Sequence, residues 1–592
     1  MCKNLKHLLN IFFLLIFVFF IKNANSADVN IAEDTNTQQT LQASSTLTIK
    51  SGFALQNVAV DRIVKGYNPE IDNATVVVEE NATIEGKANT IFVRETSGFT
   101  LTNSGSVIGN GSKAINLRDT QNPTITNNEG ATISGTYNVI VQQSTATEDA
   151  TGLTITNHGT IKAVGSTSER AIYIYQSDGE LAEDATITNS STGNIYNTQN
   201  SPTIAIDTSS TLTNSGTIEN RYSPSSKSIQ VVGNNNTVTL KDGGKVIGLI
   251  DSDGTGNKLR IQHGAGQSYL YETRGTFDLE DLDGNIIVKG SAGSVGQGGS
   301  EILDEQLGHK SIKLRNSITK FKRSEQYLNQ EDAWTEMFTS FEKRQGEKES
   351  LRLEHNNLRA GANIIQPGQN SNQILSIETG RQEFAKDHNI DRISLSAGLL
   401  LDEKQTKFNS NSETFFVMGV TLNKSTRRIL TNTTTSGFLD IEDEYFNYDA
   451  VLGTKFLNDM IPDISYSIGY SFTPKHEESH FYKWEKKDFI NASIAFSDEY
   501  LILNDDKSKL YFNWLADFRE AIMEETQEFR VNNVLAEYQA DDDLSREITI
   551  TAGLDYEFQP LDNSLFSINL DGLYSSQETF GAQAKLYYKS IF

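Results

Sequence analysis

FGAQAKLYYKSIF, Phe580 to Phe592, ends the chain, and its reading decides the fold. Counted back in steps of two from Phe592, one face carries Ser590, Tyr588, Leu586, Ala584, Ala582 and Phe580. The other carries Lys589, Lys585, Gln583 and Gly581. Period two is the repeat of a β-strand, here with one apolar and one polar side. In water, such a strand ending on an aromatic residue is an edge that invites pairing with other chains. A strand that closes a barrel in a bilayer needs that apolar face.

The preceding strands repeat the texture. DISYSIGYSF sets Ile464, Tyr466, Ile468, Tyr470 and Phe472 against Ser465, Ser467, Gly469 and Ser471. EITITAGLDYEF sets Ile548, Ile550, Ala552, Leu554, Tyr556 and Phe558 against Thr549, Thr551, Gly553, Asp555 and Glu557. Strands of this length, with a lipid-compatible face, aromatic ends and a polar inner face, are what a transmembrane β-barrel requires. Short turns such as PLDNS at Pro560 alternate with longer polar loops such as TPKHEESH at Thr473. At roughly 20 residues per strand and connection, residues 334–592 hold on the order of twelve strands, an even number being expected. Carboxylates outnumber Lys and Arg in this segment, which makes an acidic lumen the expectation.

Before it, GSAGSVGQGGSE after Lys289 reads as a flexible connection or the ragged end of the stack. In SIKLRNSITKFKR the alternation stops, and Ile312, Leu314, Ile318 and Phe321 recur at helix-like spacing. Lys310, Lys313, Arg315, Lys320, Lys322 and Arg323 make this the most basic stretch of an acidic chain. A solvated basic face is one reading. The preferred one is a helix within a linker, 301–333, threaded through a lumen lined by carboxylates.

Residues 28–300 have another period. LTNSGSVIG at Leu101, ITNNEGATISG at Ile125, ITNHGTIKA at Ile155, ITNSSTGNIYN at Ile187 and LTNSGTIEN at Leu212 align on Asn103, Asn127, Asn157, Asn189 and Asn214. Each unit adds a second run, such as AINLR at Ala114, NVIVQ at Asn138, AIYIY at Ala171 or TIAID at Thr203. Short strands with Asn, Gly and Ser corners cannot bury their apolar residues alone. Stacked coils can, so a right-handed parallel β-helix is expected. The Asn row reads as a structural ladder that satisfies corner backbone groups, in preference to a ligand row. The recurring Gly reads as a corner with positive φ.

Asp251, Asp253 and Asn257 in DSDGTGN are a weak calcium candidate, without the bidentate Glu of a full EF-hand loop. No G-x-S-x-G, H-E-x-x-H or P-loop pattern lies between residues 28 and 300, and His158 and His263 are the only histidines there. No cofactor is expected. A polysaccharide-cleaving enzyme using Asp, Lys and Arg stays open as an alternative. A net charge of -26 argues against nucleic-acid binding, since phosphate neutralisation needs clustered Lys and Arg.

The run IFFLLIFVFFI, Ile11 to Ile21, follows Lys3 and Lys6 and is too short to span a bilayer. With the small residues around Ala24, it reads as a signal peptide, 1–27, cleaved after Ser26 or Ala27. The only cysteine is Cys2, so the mature chain is expected to carry no thiol.

The order of parts resembles the monomeric autotransporters, or type V secretion proteins. The most specific pieces are AWTEMF at Ala333, the closing strands from Ser545 and the terminal Phe592. The resemblance implies Sec export, insertion of residues 334–592 into the outer membrane by the barrel assembly machinery, and passage of a 28–300 passenger to the surface. It makes Leu586, Tyr588 and Phe592 the assembly signal, which Ser590 weakens. Self-cleavage at an Asn-Asn junction does not carry over, because the linker has Asn316 before Ser317 and Asn329 before Gln330. The expectation is an all-β chain: a β-helical passenger and a roughly twelve-stranded barrel with a lumen helix. The expected role is a surface adhesin with an unknown extracellular or host ligand, an enzyme passenger or a channel with a periplasmic domain being the alternatives.

Overall fold

The computed structural model describes residues 28–67, 71–145, 149–165, 169–176, 182–290, 293–297, 334–345, 355–367, 371–384, 388–404, 411–457, 462–478, 482–524, 527–531, 534–538, 546–561 and 564–590. They form two units. One comprises 28–262, 272–280 and 432–437; the other comprises 263–271, 281–431 and 438–592.

The first unit is a parallel β-solenoid whose coils feed three sheets, of 11, 8 and 12 strands among the described residues. Its construction follows from register. In the first sheet Thr124 pairs Thr100 and Thr154, and Ile125 pairs Leu101 and Ile155, so like residues stack on like. Leu101, Ile125, Ile155, Ile187 and Leu212 thereby make one fully buried column. Each such side chain contributes roughly 1.5–3 kcal/mol on burial, and only stacking removes it from water. The strand Thr100–Asn103 turns at Ser104 and Gly105 into Ser106–Gly109, which starts the second sheet.

The repeat asparagines stand at that turn. Asn103 Nδ2 donates to Asn127 Oδ1, Asn127 to Asn157, Asn157 to Asn189 and Asn189 to Asn214, each at 2.8 Å. The same amides reach corner carbonyls, as Asn157 does to Gly159 O at 3.1 Å and Asn189 to Gly193 O at 3.2 Å. A buried amide must have both ends partnered, and a column supplies each from its neighbours. The column ends where Asn214 meets Leu240 of the next coil.

The corner glycines have a different cause from the one expected. Gly105, Gly159, Gly193 and Gly216 are not among the residues with positive φ. They are required by close approach: a Cβ on Gly159 would lie 2.4 Å from both Ala131 O and Asn128 O, and one on Gly216 would lie 2.2 Å from Ser190 O. Positive φ does apply at Gly130, with φ 79°.

The second unit is a closed antiparallel barrel of 12 strands. Its strands are Trp334–Arg344, His355–Pro367, Ser371–Phe384, His388–Lys404, Asn411–Thr431, Phe438–Leu457, Asp463–Thr473, Lys487–Asp505, Ser508–Glu524, Arg546–Leu561, Ser564–Ser575 and Thr579–Ser590. Each pairs with its sequence neighbour, and the last returns to the first through a register from Thr335↔Tyr588 to Arg344↔Thr579. Two connections extend into a four-stranded sheet, His476–Glu478, Tyr482–Trp484, Gln527–Val531 and Val534–Tyr538. Strands Tyr269–Tyr271, Gly293–Gln297 and Ile286–Gly290 add to the barrel sheet beside Leu430 and Thr431.

The barrel is inverted relative to a water-soluble fold. Tyr466, Ile468, Tyr470, Ile548, Ile550, Leu554 and Tyr556 point outward and are exposed, whereas Ser465, Ser467, Ser471, Thr551 and Glu557 are buried inside. Lipid is the environment in which that distribution is favourable, and closure leaves no strand edge unpaired within it.

Two outcomes follow. Asn157→Ala strands the amides of its neighbours and is expected to lower solenoid stability by about 1–3 kcal/mol, whereas the outward Thr156→Ala changes it by less than about 1 kcal/mol. Hydrogen exchange of solenoid peptides in the full-length protein distinguishes the two. Ile468→Arg on the outer face is expected to cost about 2–4 kcal/mol and to deplete the heat-modifiable folded band, while Gln583→Lys in the lumen leaves that band intact.

Candidate functional site

The barrel's inner wall is a network of charge held by adjacent strands. Arg359 Nη2 lies 3.0 Å from Glu342 Oε1, and its Nη1 lies 3.4 Å from Glu378 Oε2. Asn357 Nδ2 donates to Glu342 Oε2 at 3.1 Å, and Arg392 donates to Asn357 Oδ1. Arg519 faces Glu547 at 3.6 Å elsewhere on the wall. Period two puts these residues inside, and the antiparallel register brings opposite charges together. The wall is thus polar and charged, in contrast to the apolar outer face.

The closing seam lies between the first and last strands. Leu586 and Tyr588 are exposed on the outer face, while Tyr587 is buried inside. Across the seam Lys585 Nζ lies 3.6 Å from Glu336 Oε1. Tyr588 packs against Phe566 on the neighbouring strand, with ring centroids 4.7 Å apart. Phe592 lies outside the described residues, as do Ser26, Ala27, Lys313, Arg315, Lys320, Lys322 and Arg323 with the expected lumen helix.

On the solenoid, Asn103, Asn127, Asn157, Asn189 and Asn214 are buried and bonded to one another as described above, with no face toward solvent. Each of the calcium candidates has an oxygen engaged by a protein group. Asp251 pairs with Lys227, Asp253 accepts from Gln230 Nε2 at 2.7 Å, and Asn257 Oδ1 accepts from Asn236 N at 2.8 Å. No cluster of three or more metal-binding side chains occurs among the described residues.

The third sheet carries a group that motif reading missed. Its parallel register puts Tyr67, Arg94, Arg118, Gln143 and Tyr175 in one outward row, each one strand from the next. Strands in a sheet are about 4.7–4.9 Å apart, so the row spans roughly 19 Å. At one end Arg62 lies over the Phe92 ring at 4.2 Å and over the Tyr67 ring at 5.7 Å. At the other end Tyr173 and Tyr175 stack at 4.3 Å, Arg170 lies 4.2 Å over Tyr173, and Tyr175 donates to Gln143 Oε1 at 2.7 Å.

Between these aromatic ends Arg94 and Arg118 stand side by side. Asp119 is buried beneath them, its Oδ2 3.7 Å from the Nε of each. That carboxylate already accepts from Thr145 N at 2.6 Å and Thr145 Oγ1 at 2.8 Å. Arg94 reaches Glu95 at 2.5 Å, while among the described residues Arg118 has only the long pair with Asp119. Burial and the positive charge of Arg118 hold the Lys113 ammonium below its ordinary value. Beside the row, a ledge formed by Gln121, Thr151 and Glu183 is acidic, and burial, Asp184 and Asp149 hold the Glu183 carboxyl above its usual range. The sequence signal was present: aligned on the inward Ile, IFVR, INLR, IVQQ and IYIY place these side chains at one position.

Neither a family model nor a curated protein matches the chain. Among solved structures, the translocator domain of autotransporter NalP from Neisseria meningitidis aligns at 13% identity and TM-score 0.34, covering 49% of this chain and 98% of that one. The transport unit of the autotransporter AIDA-I from Escherichia coli aligns at 11% and 0.30, covering 48% and 99%. The beta domain of the Bordetella autotransporter BrkA aligns at 7% and 0.29, covering 45% and 100%. Likeness at this level carries no functional argument, which rests on the chain's own geometry.

The lumen network makes a graded prediction. Arg359→Gln removes the cation between Glu342 and Glu378, leaving Glu378 the longer pair with Arg392 at 4.0 Å, and is expected to lower barrel stability in detergent by up to about 3 kcal/mol, read by denaturant unfolding. Arg381→Gln, which breaks an exposed pair with Glu383 at 3.0 Å, is expected to cost less than about 1 kcal/mol. The chain joins a parallel β-solenoid to a closed twelve-stranded antiparallel barrel with an apolar exterior.

Proposed function

We propose that the chain carries its own solenoid across the outer membrane and displays it outside the cell as a binding surface, in the manner of an adhesin. The observation that carries this reading is the joining, in one chain, of a lipid-facing barrel with a polar inner wall to a solenoid built by sequential stacking. Residues 1–27 direct export and are removed after Ser26 or Ala27. The last strand, with Leu586, Tyr588 and Phe592, is the signal read by the assembly machinery. The basic segment with Lys313, Arg315, Lys320, Lys322 and Arg323 forms a helix that occupies the acidic-lined lumen once passage is complete.

The energy for passage comes from folding. Each coil that stacks outside buries its Ile and Leu and closes backbone bonds to the coil before it, so the chain cannot slide back without losing them. A compartment without ATP is then no obstacle. The long solenoid surface, with its outward rows of Thr and the aromatic and guanidinium row, is the part that meets a ligand.

Tyr222, 59% exposed, offers the test, because the mature chain is expected to have no thiol of its own. Tyr222→Cys is expected to react with a membrane-impermeant maleimide on intact cells as fully as after lysis. Labelling only after the outer membrane is opened would place the solenoid inside and overturn display. Phe592→Ser is expected to reduce the folded barrel in outer-membrane fractions several-fold; an unchanged level would remove the terminal residue from the assembly signal.

A further inference from the structure

We infer that the outward row of the third solenoid sheet is a binding site for an anionic oligosaccharide, with Arg94 and Arg118 taking the acidic substituents and the tyrosines at either end, Tyr67 and the Tyr173–Tyr175 pair, taking sugar faces. This deepens the display reading by naming the ligand class.

Three observations converge on it. The first is electrostatic. Parallel register sets Arg94 directly against Arg118, and like charges directly opposite across strands are unfavourable. Glu95 compensates Arg94 at 2.5 Å, but Asp119, the carboxylate shared with Arg118, is committed to Thr145 and stands 3.7 Å from each Nε, beyond hydrogen-bond reach. The Nε of both arginines is buried without a hydrogen-bond partner. An external carboxylate or sulfate meets the part of each guanidinium that does reach solvent, and the planar fork suits either group. Arg94 and Arg118 keep side-chain exposures of 35% and 37%, enough to meet a ligand from solvent.

The second observation is the placement of the rings. Tyr67 at one end, backed by the buried Phe92, and Tyr173 with Tyr175 at the other bracket the two arginines. Aromatic faces are held rigid here by Arg62 and Arg170, which stack on them. A rigid, amphipathic ring beside a charged donor is what a pyranose requires, its apolar C–H face lying on the ring while its polar rim meets the side chains. The third is charge contrast. Arg62, Lys65, Arg94, Lys113 and Arg118 gather on neighbouring coils of a chain whose net charge is -26. The acidic ledge with Asp149, Glu183 and Asp184 limits the ligand on one side, so an anionic chain is steered along the row and away from the ledge.

Spacing adds the repeat. Successive rungs are about 4.7–4.9 Å apart, of the order of one sugar unit, so the row of roughly 19 Å accommodates a short oligosaccharide lying along the solenoid axis.

The experiment uses the full-length protein purified in detergent, so that binding is measured independently of where the solenoid resides in the cell. Three probes of matched length are titrated: an oligogalacturonate, a sulfated heparin-type oligosaccharide and neutral maltohexaose. The wild type is expected to bind one or both acidic probes at least about tenfold more tightly than the neutral one, with the preference falling as salt rises. Which acidic probe binds better identifies carboxylate or sulfate as the natural substituent. Arg94→Gln/Arg118→Gln is expected to abolish the preference. Tyr173→Ala/Tyr175→Ala is expected to weaken acidic binding about tenfold while keeping the preference. Lys162→Gln, on the second sheet, is expected to change nothing. Arg118→Lys keeps the charge and loses the planar fork, and is expected to weaken binding several-fold without disturbing the coil. Absence of binding, equal affinity for acidic and neutral probes, or full affinity in the double arginine variant would each overturn the site. Maleimide labelling at Tyr222→Cys reads display separately, so either proposal can fail alone.

Discussion

Both units depend on completing the backbone hydrogen-bond ladder. In the barrel, the bilayer offers no substitute for a missing partner, so the strand ending at Ser590 must pair with the strand beginning at Trp334. In the solenoid, no coil has a partner for its own strands within itself, so every coil must find its N–H and C=O partners in the coils above and below. One constraint thus yields a closed ring in one unit and an open stack in the other. The difference lies in strand length. Barrel strands run to 21 residues at Asn411–Thr431, long enough to cross a membrane, whereas solenoid strands are mostly of four residues and cannot.

Side chains follow from that choice. Where the ladder closes in lipid, the apolar face turns outward and the polar face is buried, with Arg359, Glu342 and Glu378 compensating one another inside. Where the ladder stacks in water, Ile and Leu turn inward and Thr turns out. The Asn column belongs with the backbone. It caps a turn whose carbonyls would otherwise be buried without donors, and each amide is satisfied by the coil beside it. Gly159 and Gly216 belong to the same corner, as the only residue type that fits beneath the carbonyls of the preceding coil.

The repeats beginning at Leu101 and the alternation in DISYSIGYSF were legible because both signals are local: period and spacing are written along the chain. The corner glycines were read from the wrong cause, since positive φ is a local property and close approach of another coil is not. Likewise Arg94 and Arg118 are 24 residues apart and looked unremarkable in sequence. Only register places them side by side. In the DSDGTGN turn, whose spacing suggested a shared cation, Lys227, Gln230 and Asn236 on neighbouring coils each engage one of the oxygens, which again only register shows.

The sequence by itself determined the class of each unit and the direction in which each strand faces, because a period of two and a repeating coil leave few alternatives once one face must be apolar. The tertiary structure decided which side chains become neighbours across coils, where the barrel closes, and which charges are left facing solvent with too few partners. The physical reason is that hydrophobic alternation is encoded residue by residue, whereas register is a property of two strands together. The final strand shows both: its apolar face is plain from Phe580 to Tyr588, but its partner Met337, opposite Leu586, lies at the far end of the barrel segment and is reached only when the ring is complete.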